Sequence, residues 1–282
     1  TIRNYAADSM LYRTVGMIQD AIDDLDKKDP NYYIKMGETT ERFAVEASMV
    51  KIYGSETSQF CVDHCFQIFG GYGFIEEYPI ARAYRDDRIN RIWEGTNEIN
   101  RQIVTGYMMK KVLMEELSLR TYVKSIPEFL ITESTKNDEN FLSKEKHGLK
   151  SAKLLCSLIF HEAMCEYGQD LKNEQQLEEA LADIFTEIYT IESTIARSEK
   201  AQSIKETSEN SKIIAKIFTA ESLLRIKSLS IISINKIFNE TTILTHKEHI
   251  QKLESKITLK TDTISLKQKL GNFMLDQKTY PF

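Results

Sequence analysis

Turn-forming residues are scarce in this chain, and their scarcity restricts it to folds with few, long elements. Its 282 residues include 11 glycines and 4 prolines. Strands need frequent turns, and turns draw heavily on these two residues. Apolar residues also recur at helical spacing over long stretches of the sequence. The chain is therefore predicted to be all-α, with long helices and few connections.

The first third of the chain contains two long helical patterns. One helical stripe is formed by five apolar residues spaced three or four apart: Leu11, Val15, Ile18, Ile22 and Leu25. A second, single helix is predicted over residues 33–69, with a buried side formed by Val45, Met49, Ile52 and Phe60. Glu41 and Glu56 fall near this stripe, so the amphipathic pattern is imperfect.

Glycine, proline and threonine residues that are typical of helix ends then predict shorter elements. Gly70, Gly71 and Gly73 are expected to end the second helix. Pro79 suits the first turn of a short helix over residues 80–88. Thr96 is a candidate N-cap for a helix that continues to about residue 113.

The second half of the chain is predicted to form a separate helical domain. The pattern weakens over residues 115–144, where Pro127 and the polar stretch 133–140 suggest a linker. Helical spacing then resumes in a stripe formed by Leu177, Leu181, Ile184, Ile188, Ile191 and Ile195. We therefore expect helical domains at 1–113 and 145–282, joined by a linker at 114–144.

Charge and composition exclude several classes of protein. A net charge of -5 and a pI near 5.7 argue against nucleic-acid binding, and no apolar run has the length of a membrane span. Four cysteines do not suggest a disulfide framework, which favours a reducing, cytoplasmic location. Cys61, His64 and Cys65 share a helical face but have no convincing fourth ligand, so we predict buried structural residues and no metal site. Because the chain opens with Thr1, we expect a fragment or a processed chain.

One window, residues 67–101, carries features that indicate chemistry. In order, it contains Gln67, the pair Gly70 and Gly71, a Glu-Tyr-Pro turn at 77–79, an Arg-Asp pair at 85–86 and Glu-Gly-Thr at 94–96. A single Gly-Gly or Glu-Gly-Thr would mean little, but these unrelated features recur together. The window closely resembles the signature of the acyl-CoA dehydrogenases.

The resemblance implies that Glu94 is the catalytic base. In the family, the matching glutamate removes the proton α to a thioester carbonyl, and its backbone N–H polarises that carbonyl. Gly95 would let a flat thioester approach the backbone. Trp93, where the family more often has Tyr or Phe, would line the acyl pocket. Without the resemblance, an acidic residue before a helix would simply complement the helix dipole.

The resemblance also implies a bound FAD. Five residues match family positions that contact the flavin nucleotide: Gln67, Gly70, Gly71, Thr96 and Glu98. Helix capping alone would also account for Gly70 and Thr96, and both roles are compatible. Glu98 departs from the more frequent Gln or Asp. Three arginines, Arg82, Arg85 and Arg88, are expected to form ion pairs with nearby acidic residues rather than to meet CoA phosphates.

Residues 1–113 resemble the last part of the family's C-terminal four-helix bundle, truncated at its N-terminal end. The second half resembles the extra helical domain of very-long-chain-type acyl-CoA dehydrogenases, best over residues 181–200. In that subclass the extra domain covers a surface that tetrameric relatives use for assembly. The resemblance therefore implies a homodimer.

The implied activity belongs to a longer parent enzyme. It would oxidise a fatty acyl-CoA to the trans-2-enoyl-CoA with FAD and pass electrons to an electron-transfer flavoprotein. The isolated chain is expected to be inactive, without contact to membranes. Two alternatives stay open: an acyl-CoA oxidase-like enzyme, and a non-catalytic helical interaction module.

Overall fold

The computed structural model describes residues 1–132, 140–202, 208–277 and 280–282, and these contain helices and no strand, which confirms the all-α prediction. The helices are α1 (Ile2–Asp23), α2 (Tyr32–Glu41), α3 (Ala44–Phe69), α4 (Pro79–Asp87), α5 (Asn97–Leu113), α6 (Leu119–Lys124), α7 (Ile126–Thr132), α8 (Ser143–Tyr167), α9 (Gln175–Ala201), α10 (Ser208–Ile237), α11 (Glu240–Lys256) and α12 (Thr263–Asp276). They form two compact units, Leu11–Tyr107 and a second unit made of Thr1–Met10 with Met108–Phe282.

The unit Leu11–Tyr107 is built around α3. Its buried apolar side chains include Val45, Met49 and Ile52 of α3, together with Ala81 of α4 and Val104 of α5. The predicted burial of the first three is confirmed, whereas Phe60 is only half-buried.

The first helix exists as predicted, but its predicted stripe is not its buried face. Leu11 is 42% exposed and Val15 53% exposed, and Leu25 lies beyond the end of α1. The side chains of α1 that are buried include Tyr5, Ala6 and Met10. Helical spacing identifies the helix, but α1 has apolar residues on more than one face, so spacing does not select the covered one.

The single helix predicted over residues 33–69 is wrong, because the structure divides it into α2 and α3. At the break, the N–H of Phe43 bonds to the carbonyl of Thr40 instead of the carbonyl four residues back. The Thr40 hydroxyl donates to the Met36 carbonyl at 2.8 Å, a bond that competes with regular helix geometry. No glycine or proline marks this break in the sequence.

Three predicted boundaries in the same unit are confirmed. Gly70 ends α3 in the left-handed region with φ of 58°, and a 3₁₀ turn over Gly70–Phe74 follows. Pro79 is the first residue of α4. The Thr96 hydroxyl accepts from the N–H of Ile99 at 3.2 Å and so caps the start of α5.

The second unit has a core where α8, α9 and α10 pack on one another. Its fully buried side chains include Leu155 and Ile159 of α8, Leu181 and Ile184 of α9, and Ile217 of α10. Buried hydroxyls on α9 keep their hydrogen bonds, since Thr186, Thr190 and Thr194 each donate to the carbonyl four residues back. These polar residues therefore enter the core without an unpaired group.

The stretch predicted as a linker, 114–144, contains α6 and α7, with Leu119, Ile126 and Phe129 buried. Residues 133–139 of it lie outside the described residues. Within the described ranges, no helix is both long enough and apolar enough to cross a bilayer.

Candidate active site

The predicted base lies in an unusual backbone conformation. Glu94 has φ of 54° and Gly95 has φ of 78°, so two successive residues occupy the left-handed region. Glycine adopts this region without penalty, whereas a residue with a Cβ does so only when its surroundings require it. The Glu94 side chain is exposed on its unit. We refer to residues 93–96, which contain both, as the Glu94 turn.

Two side chains hold the Glu94 turn through one carbonyl group. The Gly95 carbonyl oxygen accepts from the Lys51 ammonium of α3 at 2.7 Å and from the Asn100 amide of α5 at 2.9 Å. Asn100 also donates to the Thr96 carbonyl at 3.0 Å. A Cβ added at Gly95 would lie 3.0 Å from that same Asn100 amide nitrogen. The backbone of the turn therefore fits closely against its anchors.

A partly buried polar network extends behind these anchors. Asn97, 2% exposed, accepts from Lys51 at 2.7 Å and donates to the Ser55 hydroxyl at 3.0 Å. The Asn97 amide also donates to the Glu56 carboxylate at 3.2 Å. The same Glu56 oxygen accepts from the Arg101 guanidinium at 2.9 Å. The network joins the start of α5 to the middle of α3.

Two charged groups near the turn have shifted pKa values. Burial lowers the pKa of Lys51, and the carboxylates of Glu98 and Glu56 oppose that shift. The backbone N–H of Glu98 itself, followed by the Thr96 hydroxyl, lowers the pKa of the Glu98 carboxyl. Glu98 is therefore a carboxylate at neutral pH that is bonded to the first turn of α5, where the helix dipole favours negative charge.

The other predicted flavin-contacting residues lie at the end of α3. Gln67, Gly70 and Gly71 are exposed, and an added Cβ at either glycine would meet nothing within 4 Å. Backbone and an amide side chain are thus open to a ligand that approaches from outside. This donor set suits the polar atoms of a nucleotide, so these residues fit the predicted FAD.

Large apolar side chains that are close in sequence to both groups of predicted site residues are exposed on the unit. Trp93, beside the predicted base, is 56% exposed, while Ile68 and Phe74 are 84% and 82% exposed. Large exposed apolar side chains beside predicted site residues are typical of ligand or protein contact sites.

The cluster of Cys61, His64 and Cys65 differs from the prediction of buried residues. Cys61 is half-buried, and His64 and Cys65 are exposed, because this part of α3 turns its face away from the core. In the described part of the chain, no group of three or more His, Cys, Asp or Glu side chains could hold a metal ion.

The expected ion pairs of the short helix α4 are confirmed for two arginines. Arg85 meets Glu76 at 2.7 Å and Arg82 meets Asp86 at 3.4 Å, with all four side chains exposed. Exposed pairs of this kind contribute little to stability.

Sequence reasoning missed the residues that anchor the Glu94 turn. Lys51 and Ser55 are polar residues outside the predicted apolar stripe of the second helix, and Asn97 and Asn100 have no predicted role. One signal was present in Glu56, a carboxylate within an apolar stripe, because such a residue needs a buried partner. Its partner Arg101 is 8% exposed.

Comparison with known proteins identifies two domains. A family model described as "Acyl-CoA dehydrogenase, C-terminal domain" matches residues 3–109, and a second model with the same description matches residues 151–258. The chain is 40% identical over 200 residues to a "Probable acyl-CoA dehydrogenase" of Bacillus subtilis, and the aligned region covers 71% of this chain and 34% of that protein. It is 29% identical over 220 residues to the very long-chain specific acyl-CoA dehydrogenase of Bos taurus mitochondria, covering 68% of this chain and 32% of that protein.

A solved structure agrees with these matches. The crystal structure of an acyl-CoA dehydrogenase complexed with FAD, from Bacillus anthracis, superposes with a TM-score of 0.89 at 31% identity and covers 97% of this chain and 47% of that one. The chain spans about a third of the length of the two curated relatives described above. Residues 3–109 and 151–258 are therefore C-terminal domains of the acyl-CoA dehydrogenase family.

Proposed function

We propose that this chain is the C-terminal part of an FAD-dependent acyl-CoA dehydrogenase of the very-long-chain type, with Glu94 as its catalytic base. The reaction is the α,β-dehydrogenation of a fatty acyl-CoA to the trans-2-enoyl-CoA. The observation that carries the proposal is the Glu94 turn itself. A glutamate with an exposed carboxylate is held at φ of 54° by two polar anchors, the half-buried Lys51 and the buried Asn100, within a domain of this family.

The side-chain and backbone groups of the turn have separate roles in this proposal. The Glu94 carboxylate accepts the proton α to the thioester carbonyl, which leaves an enolate-like charge on the carbonyl oxygen. The backbone N–H of Glu94 donates to that oxygen and stabilises the charge. Gly95 leaves room for the flat thioester, and the Trp93 ring lines the acyl chain.

FAD would be held by two groups of residues: Gln67, Gly70 and Gly71 at the end of α3, and Thr96 and Glu98 at the start of α5. When bound, it supplies the acceptor for the β-hydride. The exposed glycine backbone of the first group supports this role. Thr96 and Glu98 already bond to each other and to the helix start, so their contact to the nucleotide would add to a capping role.

Three further features of the parent protein belong to this proposal: homodimer assembly, a cytoplasmic location and an electron-transfer flavoprotein as acceptor. The second family domain, at residues 151–258, and the similarity to the very long-chain specific relative support the very-long-chain type. The domain limits 1–113, 114–144 and 145–282 stay a prediction from the sequence, and the compact units divide the chain differently, after Met10 and after Tyr107. The chain alone is expected to be inactive, since its unit leaves Glu94 and Trp93 exposed rather than in the dry pocket that the chemistry needs.

The test uses the longer flavoprotein that this proposal requires, with this chain as its C-terminal part. We expect Glu94→Gln to lower kcat by ~10³-fold or more while the flavin absorbance is kept, because only the base is lost. Exchange of the substrate α-proton in deuterated water, followed by mass spectrometry, should fall in parallel.

Glu38→Gln is the matched control, since Glu38 is an exposed glutamate of α2 that lies outside the signature window 67–101. Its kcat and exchange rate should stay near those of the parent. Retained turnover and α-proton exchange in Glu94→Gln would refute the assignment of the base. Stoichiometric hydrogen peroxide with each turnover would instead indicate an oxidase.

A further inference from the structure

We propose that Lys51 is a positioning residue, whose ammonium group clamps the Glu94 turn against α3 and so fixes where the Glu94 carboxylate projects. The functional half of this inference rests on the proposed role of Glu94. The structural half, that Lys51 holds the turn, does not.

The geometry at the Lys51 ammonium is that of a clamp. It donates to the Gly95 carbonyl and to the Asn97 side-chain oxygen, both at 2.7 Å. Hydrogen bonds from a charged donor are shorter and stronger than neutral ones, and these two reach across 44 and 46 residues of sequence. One cation therefore fastens both the turn and the first residue of α5 to the middle of α3.

The clamp has a rigid base. Asn97 is 2% exposed, and its amide nitrogen donates to Ser55 and Glu56, which lie one turn of α3 beyond Lys51. Arg101, 8% exposed, fixes the same Glu56 oxygen at 2.9 Å. The Asn97 acceptor that Lys51 meets is thus itself fixed by partners on two helices, so the Lys51 ammonium bonds to a group with a defined position.

The Glu94 turn needs such a clamp because its conformation is not self-sustaining. Two successive left-handed residues, one of them with a Cβ, would relax to another conformation unless the surroundings opposed it. Asn100 supplies the second donor to the Gly95 carbonyl, at 2.9 Å. Asn100 belongs to the helix that follows the turn, whereas Lys51 is the donor that ties the turn to α3.

A simple stabilising role for Lys51 makes a different prediction. In that case its loss would lower the stability of the whole unit and leave the local motion of the turn unchanged until the unit unfolds. A positioning role predicts the reverse, a mobile turn on an intact unit. The mobility of Trp93 distinguishes the stabilising role from the positioning role. Trp93 is the single tryptophan of the chain and is the residue before Glu94.

The first experiment uses the 282-residue chain. Lys51→Met keeps most of the length of the side chain and removes the donor. We expect faster local depolarisation of Trp93 in time-resolved fluorescence anisotropy and at least ~10-fold faster hydrogen exchange of the amides at residues 94–97, with helix content by circular dichroism unchanged. Lys27→Met, at an exposed lysine between α1 and α2, should leave Trp93 and these amides unaffected.

A second variant, Lys51→Gln, tests the clamp if Lys51→Met fails to fold. Lys51→Gln retains an N–H donor but not the charge, and should give a smaller change of the same kind in Trp93 anisotropy. Lys51→Arg, which keeps a charged donor, should bring the Trp93 anisotropy and the amide exchange part of the way back to those of the unsubstituted chain. A Trp93 signal and an amide exchange rate that match the parent in a folded Lys51→Met or Lys51→Gln chain would overturn the clamp.

The second experiment uses the longer flavoprotein. Lys51→Met should lower kcat and the α-proton exchange rate together by about 10- to 100-fold, because a small displacement of a base costs this much, and should change KM less than threefold. Retained turnover in Glu94→Gln would refute the proposed base and leave the Trp93 result standing. Loss of turnover in Glu94→Gln with an unchanged Lys51→Met kcat would refute only the positioning role.

Discussion

At the scale of single residues, Glu94 combines an exposed carboxylate with a backbone conformation that favours glycine. For a residue with a Cβ, the left-handed region costs roughly 1 kcal/mol, because the Cβ approaches the following carbonyl oxygen. Glycine at the same position would carry no such cost. The proposed base is therefore a position where stability and function favour different residues.

We expect Glu94→Gly to have a free energy of unfolding about 1 kcal/mol higher than Glu94→Ala. Both variants lose the carboxylate, but only glycine relieves the strain at φ of 54°. Urea unfolding of the chain, followed by circular dichroism, measures the difference. At the exposed residue Glu77, where φ is not positive, the glycine variant should instead be the less stable of the pair. A less stable Glu94→Gly would mean that the turn is not strained.

Part of this residue-scale arrangement could be predicted from the sequence. The cap at Thr96 follows from residues that are neighbours in the chain, and it is confirmed at 3.2 Å. The anchors at Lys51 and Asn97 could not be predicted, because they depend on where a turn and a helix 44 to 46 residues apart come together. The tertiary fold decides whether a lysine on the polar face of a helix contacts solvent or bonds to a backbone carbonyl.

At the scale of elements, boundaries that depend on one residue type were predicted correctly and a boundary without such a residue was not. Gly70 ends α3 and Pro79 begins α4, since each residue fixes the local backbone by itself. The break between α2 and α3 lies at Arg42 and Phe43, two residues that are compatible with a continuous helix.

Glycines inside helices give a prediction at this scale, because only some of them are packed. Gly148 of α8 is buried, and an added Cβ would lie 2.7 Å from Leu223 Cδ1 of α10, a side chain with 0% exposure. Gly106 of α5 is exposed, with nothing within 4 Å of an added Cβ. The first glycine is needed for helix packing and the second is not.

We expect Gly106→Ala to raise the free energy of unfolding by about 0.5–1 kcal/mol, since alanine favours the helix. Gly148→Ala should lower it by about 1 kcal/mol, because overpacking against Leu223 outweighs the same helical gain. Thermal unfolding of both variants beside the parent chain measures the contrast. An increase in Tm for Gly148→Ala that equals that of Gly106→Ala would contradict close packing of α8 on α10.

At the scale of the whole molecule, the first residues of the chain belong to the unit that contains its C-terminal half. Tyr5 is 1% exposed and packs in a buried cluster with Ile213, Ile214, Ile217 and Leu270. Its hydroxyl lies 3.3 Å from the Ser198 hydroxyl, and the Arg197 guanidinium lies 4.3 Å from its ring centre. Domain limits predicted from the sequence rest on local composition. They cannot reveal such a unit, because Arg197 and Ser198 lie 192 or more residues from Tyr5 along the chain.

The packing of Tyr5 leads to the last prediction, that a substitution near the N-terminus destabilises helices near the C-terminus. Tyr5→Ala should lower the free energy of unfolding of its unit by about 3 kcal/mol or more, since it opens a cavity against α10 and α12. Tyr5→Phe keeps the ring and should lose about 1 kcal/mol with the hydroxyl. Hydrogen exchange of the amides at residues 213–217 measures the effect where it is expected.

The control for this prediction lies on the same helix. Tyr12 is 71% exposed, so Tyr12→Ala should change stability by no more than about 0.5 kcal/mol. Equal losses in Tyr5→Ala and Tyr12→Ala, or faster exchange confined to α1, would contradict the assignment of residues 1–10 to the second unit. A specific acceleration at residues 213–217 would mean that a C-terminal domain cut at residue 145 lacks part of its own core, and that the N-terminal ten residues must accompany it to preserve its stability.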